Sequence, residues 1–278
     1  MKKFLCSFLA LMLISGCLYA ADVLKVGQLT KLNISPEDFN LLVLGIPTAK
    51  FQEFRKTSAP DGRSYKFYDS LMTMLMGLNR GEVDEIHLPK DVANYVARTN
   101  DAYEFTAIFK TTQNFLAIGF HDTEKGQKLK SLFSNALITL ENSGRLANLT
   151  SIYITDPGVG EPEPVKFAKF DNADTIKVAV TGDMPPIDFI DEDGEPAGFN
   201  TAVLAEAAKI AGVNVELVNI DSSARAAALV SGRVDAVFWF QVDSGFERDK
   251  QPDLPEGIIL SEPYYSWDEV YGLKVKTK

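Results

Sequence analysis

The two histidines of this 278-residue chain, His87 and His121, have no metal-site spacing around them. His87 falls inside a run that reads as a strand and His121 beside a turn, with no cysteine or His-x-x-Glu arrangement nearby. Both cysteines, Cys6 and Cys17, sit in the first 17 residues; the rest of the chain has neither a disulfide framework nor a thiol nucleophile. A Gly-x-Ser-x-Gly elbow and a phosphate-binding loop are missing as well. The acidic pair Glu161 and Glu163 lies in a Pro-rich stretch where solvation is the default. What recurs is a structural unit: "GEVDEIHL" at 81–88 and "GRVDAVFW" at 232–239. Each follows an amphipathic segment opened by Asp-Ser, at Asp69-Ser70 and at Asp221-Ser222. Chance, two similar domains, or two lobes facing one another across a cleft would each produce this. Asp84 and Asp235, at the same place in both copies, read as a shared structural turn rather than a shared chemistry.

The elements around these units alternate. In the first half the pattern predicts a strand at "VLKVGQL", a buried strand at "LLVLG" ending at Gly45, and a helix starting near Pro47, a residue suited to the first helical position. A turn cluster at 57–64, a short strand "YKFY", the helix after Asp69-Ser70 and the strand "EVDEIHL" follow. Then come a helix ending at Asn100, two strands near 104–109 and 114–120, and two helices separated by Ser143-Gly144. Residues 156–174, rich in proline and glycine, read as an exposed connector. The second half gives a buried strand "TIKVAVTG", a hairpin around Asp193-Gly194, an Ala-rich helix stopped by Gly212, and then strand, helix, strand. Strands and helices alternating in this way predict parallel sheets covered by helices.

Residues 1–17, "MKKFLCSFLALMLISGC", have two lysines, an apolar run short for a bilayer, and small residues before a cysteine, which is the layout of an export signal. "ISGC" resembles a lipobox that would lipidate Cys17, whereas "CLYA" offers cleavage after Ala20. Removing residues 1–17 takes away two lysines and no acid, moving the net charge from −10 to −12. That balance argues against a nucleic-acid partner.

"VAVTGDMPPIDFIDEDGEPAGFNTAVLAEAAKIAGVNVELV", "AALVSGRVDAVFWF" and "ILSEPYYSWDEVYGLKV" together resemble the first lobe of type II periplasmic solute-binding proteins, the class delivering polar amino acids to ABC importers. "DSLMTMLMGLNRGEVDEIHLPKDVANY" resembles that family's second lobe, and "LKSLFSNALITLENSGRLANLTSIYI" its C-terminal helical tail. The order is inverted relative to the usual chain, as a circular permutation would leave it. The resemblance implies an α/β, two-lobed type II periplasmic-binding fold in permuted order, each lobe a mostly parallel sheet flanked by helices. Its parts are a signal or lipobox at 1–17, the second-lobe-like unit at 22–118, helices at 119–155 packing on the other lobe, the connector at 156–174 and the first-lobe-like unit at 175–278. The alternative, a tandem of unrelated domains, packs 125–155 with the first half instead.

The resemblance also implies where a ligand would sit. The family's acidic position falls on Pro89, its hydroxyl pair on Trp239 and Phe240, its loop aromatic on Met184 and its arginine on Arg248, while Pro47 displaces a helix-start hydroxyl to Thr48. A buried ammonium without its carboxylate partner costs several kcal/mol, so a standard α-amino acid held in the usual way is not expected. A flatter or more apolar solute gripped by Trp239 and Phe240 is, with Met184 and Phe189 beside it and Asp183, Gln241 and Asp243 adding polar contacts. Tyr264, Tyr265 and Trp267 near the hinge are weaker candidates. The expectation is a non-enzymatic, monomeric solute receptor of the periplasm or cell envelope, without metal or cofactor. Its partners would be a small solute and an ABC permease, and a lipid at Cys17 its only membrane contact. The alternatives are a dehydratase-like enzyme using Asp183 or Asp243, and a sensing or scaffolding remnant.

Overall fold

A computed structural model describes residues 23–29, 63–157, 164–221, 224–244 and 257–277. Cys17, Thr48, Arg248, the strand ending at Gly45 and the helix at Pro47 lie outside them. In the first half, strands β1 (Leu24–Leu29), β2 (Arg63–Tyr68) and β3 (Glu85–Pro89) are parallel, with β1 in the middle. Helices α1 (Leu71–Asn79) and α2 (Lys90–Thr99) pack with this sheet. Ser70 caps α1 by accepting the Thr73 amide at 3.2 Å, as serine at a helix N-cap favours. Leu71, Met74 and Leu78 turn inward from α1 at helical spacing, and Ile86 and Leu88 alternate inward from β3, so the two periods meet in one core.

The second half repeats the arrangement. β5 (Thr175–Val180) lies between β9 (Asn214–Asn219) and β10 (Ala236–Asp243), all parallel. In between come a small antiparallel sheet of β6 (Asp183–Met184), β7 (Asp188–Ile190) and β8 (Pro196–Ala197), and helices α5 (Phe199–Ala211) and α6 (Arg225–Val230). The duplicated Gly-x-Val-Asp has one structural meaning in both places. Asp84 accepts the Lys25 amide at 2.8 Å and its own amide donates to the Lys25 carbonyl at 2.8 Å. Asp235 does the same with Lys177, at 3.0 and 2.8 Å.

Two long strands join the halves. β4 (Tyr103–His121) and β12 (Tyr265–Val275) pair antiparallel, giving the strand order β2-β1-β3-β12-β4-β10-β5-β9, with the short β11 (Ile258–Leu260) also on β4. Where the sequence predicts two strands near 104–109 and 114–120, β4 is a single strand. Its exposed polar middle, Lys110 to Gln113, reads as a break; β12 pairs at Lys110 and again at Asn114, with a shift of register between them. Parallel flanks therefore belong to an antiparallel centre.

Helix α3 (Glu124–Asn142), capped by Thr123, and the short α4 (Arg145–Thr150), which runs into a π turn at Ser151–Thr155, pack along α5. Leu129, Phe133, Ala136, Leu137 and Leu140 form the buried stripe of α3, an i, i+3, i+4 pattern. Arg145 donates from Nε and Nη2 to Glu206 at 3.0 and 2.6 Å, and Lys125 pairs with Asp235 at 2.5 Å. One core runs through both flanks on the α1 and α5 side; a second, under α6, holds Ala179, Leu229, Val237 and Phe240.

Candidate functional site

The carboxyl ends of β5 and β10 lie side by side, and a ligand of such a sheet is received at that edge. Thr181, Gly182 and Asp183 continue β5 there, and Trp239 stands next to them on β10. A bulge in the pairing with β4 falls at Trp239: Phe238 faces Ile118 and Phe240 faces Ala117. The extra residue re-aims the strand, and Trp239 joins the core shared with the α1 side. Phe240 goes the other way. It is fully buried in the second core, against Gly119, where an added Cβ would come within 2.2 Å of its ring. The two aromatics therefore do not grip one solute together, because the bulge sends them into separate layers.

Asp188, fully buried at the start of β7, organises this edge. Its Oδ2 accepts the Thr181 amide and hydroxyl at 3.3 and 2.7 Å, the Gly182 amide at 3.0 Å and the Trp239 indole N–H at 3.2 Å. Burial pushes its carboxyl above the ordinary value, against the downward pull of the Thr181 and Gly182 hydrogen bonds. Arg225, equally buried on α6, donates to the Trp239 carbonyl at 3.1 Å and lays its guanidinium over the indole, 4.4 Å from the ring centre. A planar cation on an aromatic face is attractive and holds both groups flat. Beneath them Tyr264 donates to the Asn200 side chain at 3.0 Å. Burial, and then the Asp188 charge, raises the Tyr264 hydroxyl well above its ordinary value.

The other predicted positions separate. Met184 is buried, and its strand β6 rests against α1 of the opposite flank. Asp183 and Phe189 pair across the β6–β7 hairpin and are half-buried. Gln241 donates to Asn114 of β4 at 2.5 Å, and the Asp243 backbone pairs with Asn114; both are thus tied to the centre of the sheet. Pro89 closes β3 and starts α2. Two residues further on, Asp91 accepts a hydrogen bond from Tyr265 of β12. Tyr265 also packs on Phe199 of α5 with ring centres 5.3 Å apart, so one side chain touches both flanks. Burial first, then Asp91, raises its hydroxyl pKa. Among the described residues no His, Cys, Asp and Glu cluster is placed to hold a metal ion.

Asp188, Asn200 and Arg225 are functional-edge residues that the motifs of the sequence do not mark. Arg225 had a visible signal, being a charge three and four residues before Ala228 and Leu229 on an otherwise apolar helix face. Asp188 had less of one, since "IDFID" places Asp188 and Asp191 in similar surroundings. Only the strand phase separates them: Asp191 instead accepts the Asp193 and Glu195 amides of the hairpin turn at 3.0 and 2.8 Å.

Two strand-and-helix units joined by a pair of long antiparallel strands make this a mixed α/β protein whose flanks are parallel sheets covered by helices. Within it, residues 176–273 match the bacterial extracellular solute-binding proteins, family 3. Several solved structures are similar. A putative L-cystine ABC transporter protein from Listeria monocytogenes is 15% identical, with 92% of this chain and 83% of that one covered and a TM-score of 0.42. The zinc-bound ligand-binding component of an ABC-type import system from Staphylococcus aureus is 10% identical over 90% of this chain, TM-score 0.44. The alkanesulfonate-binding protein from Xanthomonas axonopodis pv. citri, bound to MOPS, is 12% identical over 91% of this chain, TM-score 0.43. This chain spans 65% of the length of each of the last two. A comparison with curated proteins finds no match.

Proposed function

We propose that this protein is the extracytoplasmic receptor of an ABC-type importer, closing two lobes on a small polar or aromatic organic solute. The observation that carries the reading is the edge formed by Thr181 to Asp183 and Trp239, within the segment that matches solute-binding family 3, lying opposite α1 of the other flank. The lobes are 22–118 and 175–278, with 119–155 a helical tail, 156–174 a connector and the order a circular permutation of the usual one. The packing of α3 and α4 on α5 supports that order. The receptor is a monomer of the periplasm or envelope, held by a lipid at Cys17 and paired with a permease. Its solute is not a standard α-amino acid held in the usual way, since Pro89 offers no carboxylate to an ammonium group.

Thermal-shift screening of the mature protein against amino acids, amines, organic acids and aromatic metabolites tests this. A true solute at a hundredfold excess over its Kd adds about 2.7 kcal/mol of stability, seen as a clear rise in melting temperature without turnover. Consumption of the stabilising compound would instead identify an enzyme. A flat profile across the library, together with unchanged small-angle scattering, would leave a cleft that receives nothing.

A further inference from the structure

Two fully buried polar atoms near Tyr264 have no hydrogen-bond partner among the described residues: Oδ1 of Asp188 and Nδ2 of Asn200. Their other halves are well satisfied. Oδ2 of Asp188 accepts from Thr181, Gly182 and Trp239, and Oδ1 of Asn200 accepts from the Tyr264 hydroxyl at 3.0 Å. The backbone brings the two residues into one neighbourhood, because the Asn200 amide donates to the Ile187 carbonyl at 2.8 Å, one residue before Asp188. Tyr264, held by Asn200, lies near enough for the Asp188 charge to add to the effect of burial in raising its pKa.

Leaving a buried donor or acceptor unpaired costs about 1–3 kcal/mol each, and native interiors avoid it. Here one acceptor and one donor are left over. That combination selects the chemistry of the missing partner. A metal cation or an ammonium would satisfy the carboxylate oxygen and leave the amide N–H facing a second positive group. An anion would do the reverse. Only a neutral group that both donates and accepts completes both atoms, and full burial limits it to something very small.

We propose that Asp188 and Asn200 form a binding site for a single internal water, which accepts from Asn200 Nδ2 and donates to Asp188 Oδ1. Its second hydrogen is directed at the Tyr264 oxygen, making the three bonds usual for a buried water. The water then ties together β7, the start of α5 and the residue preceding β12, three segments that meet behind the Trp239 edge. The site does not depend on the transport reading, since it rests on the two unpaired atoms of Asp188 and Asn200 whatever the edge in front of them receives.

A high-resolution crystal structure of the unmodified mature protein tests it directly. The expected result is one density peak within about 2.7–3.2 Å of both Asp188 Oδ1 and Asn200 Nδ2. Direct contact between the Asp188 and Asn200 side chains, or a pocket with no peak, overturns the proposal. As a second measurement, Asn200→Ser keeps a donor and leaves room, so the peak persists. Asn200→Leu fills the space, and the peak disappears with a drop of several degrees in melting temperature. Asn200→Leu melting like the unmodified protein would also overturn it.

Discussion

Asp188 joins two requirements that pull in opposite directions. Its carboxylate fixes Thr181, Gly182 and Trp239, yet burial raises its pKa above that of an unfolded aspartate. The folded state therefore holds this proton to higher pH than the unfolded state does. By linkage, its contribution to stability falls as pH rises from about 3.9, the unfolded value, through the raised folded value, and is constant above it. Glu85, whose pKa the His87 hydrogen bond lowers, has the opposite sign and loses stability as pH falls. Comparing melting temperatures of the unmodified protein and Asp188→Asn across pH 3 to 8 isolates the Asp188 part. We expect the difference between the two to change steadily in the acid range and level off above it; a constant difference would contradict a raised pKa. This behaviour was hidden in the sequence because Asp188 and Asp191 each follow an isoleucine in the same short stretch, and the strand phase that buries one of them cannot be read from it. Asp183 and Met184 were easier to single out, being placed in a Pro-rich loop at the end of a clear buried strand.

Elements were legible wherever one period dominated. The helices at 71–79 and 199–211 and the strands opened by Gly-x-Val-Asp stand out by spacing alone. β4 did not, since its exposed middle imitates a loop and the partners that flank it on β12, at Lys110 and Asn114, are far away in sequence. Trp239 and Phe240 illustrate the same limit: alternation describes a regular strand, and a bulge is invisible without the partner strand. Gly119 of β4 is the complement of that bulge. Gly119→Ala would press a methyl group into the buried Phe240 ring, and overpacking of this kind costs about 1–3 kcal/mol. Denaturant unfolding should show that loss, with partial recovery in the Gly119→Ala/Phe240→Leu double variant. Equal, additive losses in the double variant would place Phe240 elsewhere.

The whole molecule is less divisible than its repeat suggests. β12 comes late in the chain but lies between β3 and β4, so the first flank borrows its inner neighbour from the second half. The second half in turn is covered by α3 and α4 from the first. Residues 23–157 expressed alone should therefore lack a cooperative transition by circular dichroism, whereas co-expression with residues 164–277 should yield a complex that elutes as one species. Independent folding of 23–157 would show two self-sufficient domains instead.

The position of β12 also imposes an order in time. During synthesis, β1 to β11 are all made before residues 265–275 exist, so the nascent sheet has a gap one strand wide at its middle. Pairings this distant in sequence form slowly, and the facing rows of unsatisfied backbone groups on β3 and β4 invite pairing with other chains meanwhile. A ribosome stalled short of Tyr265 would release a product already carrying both sticky edges.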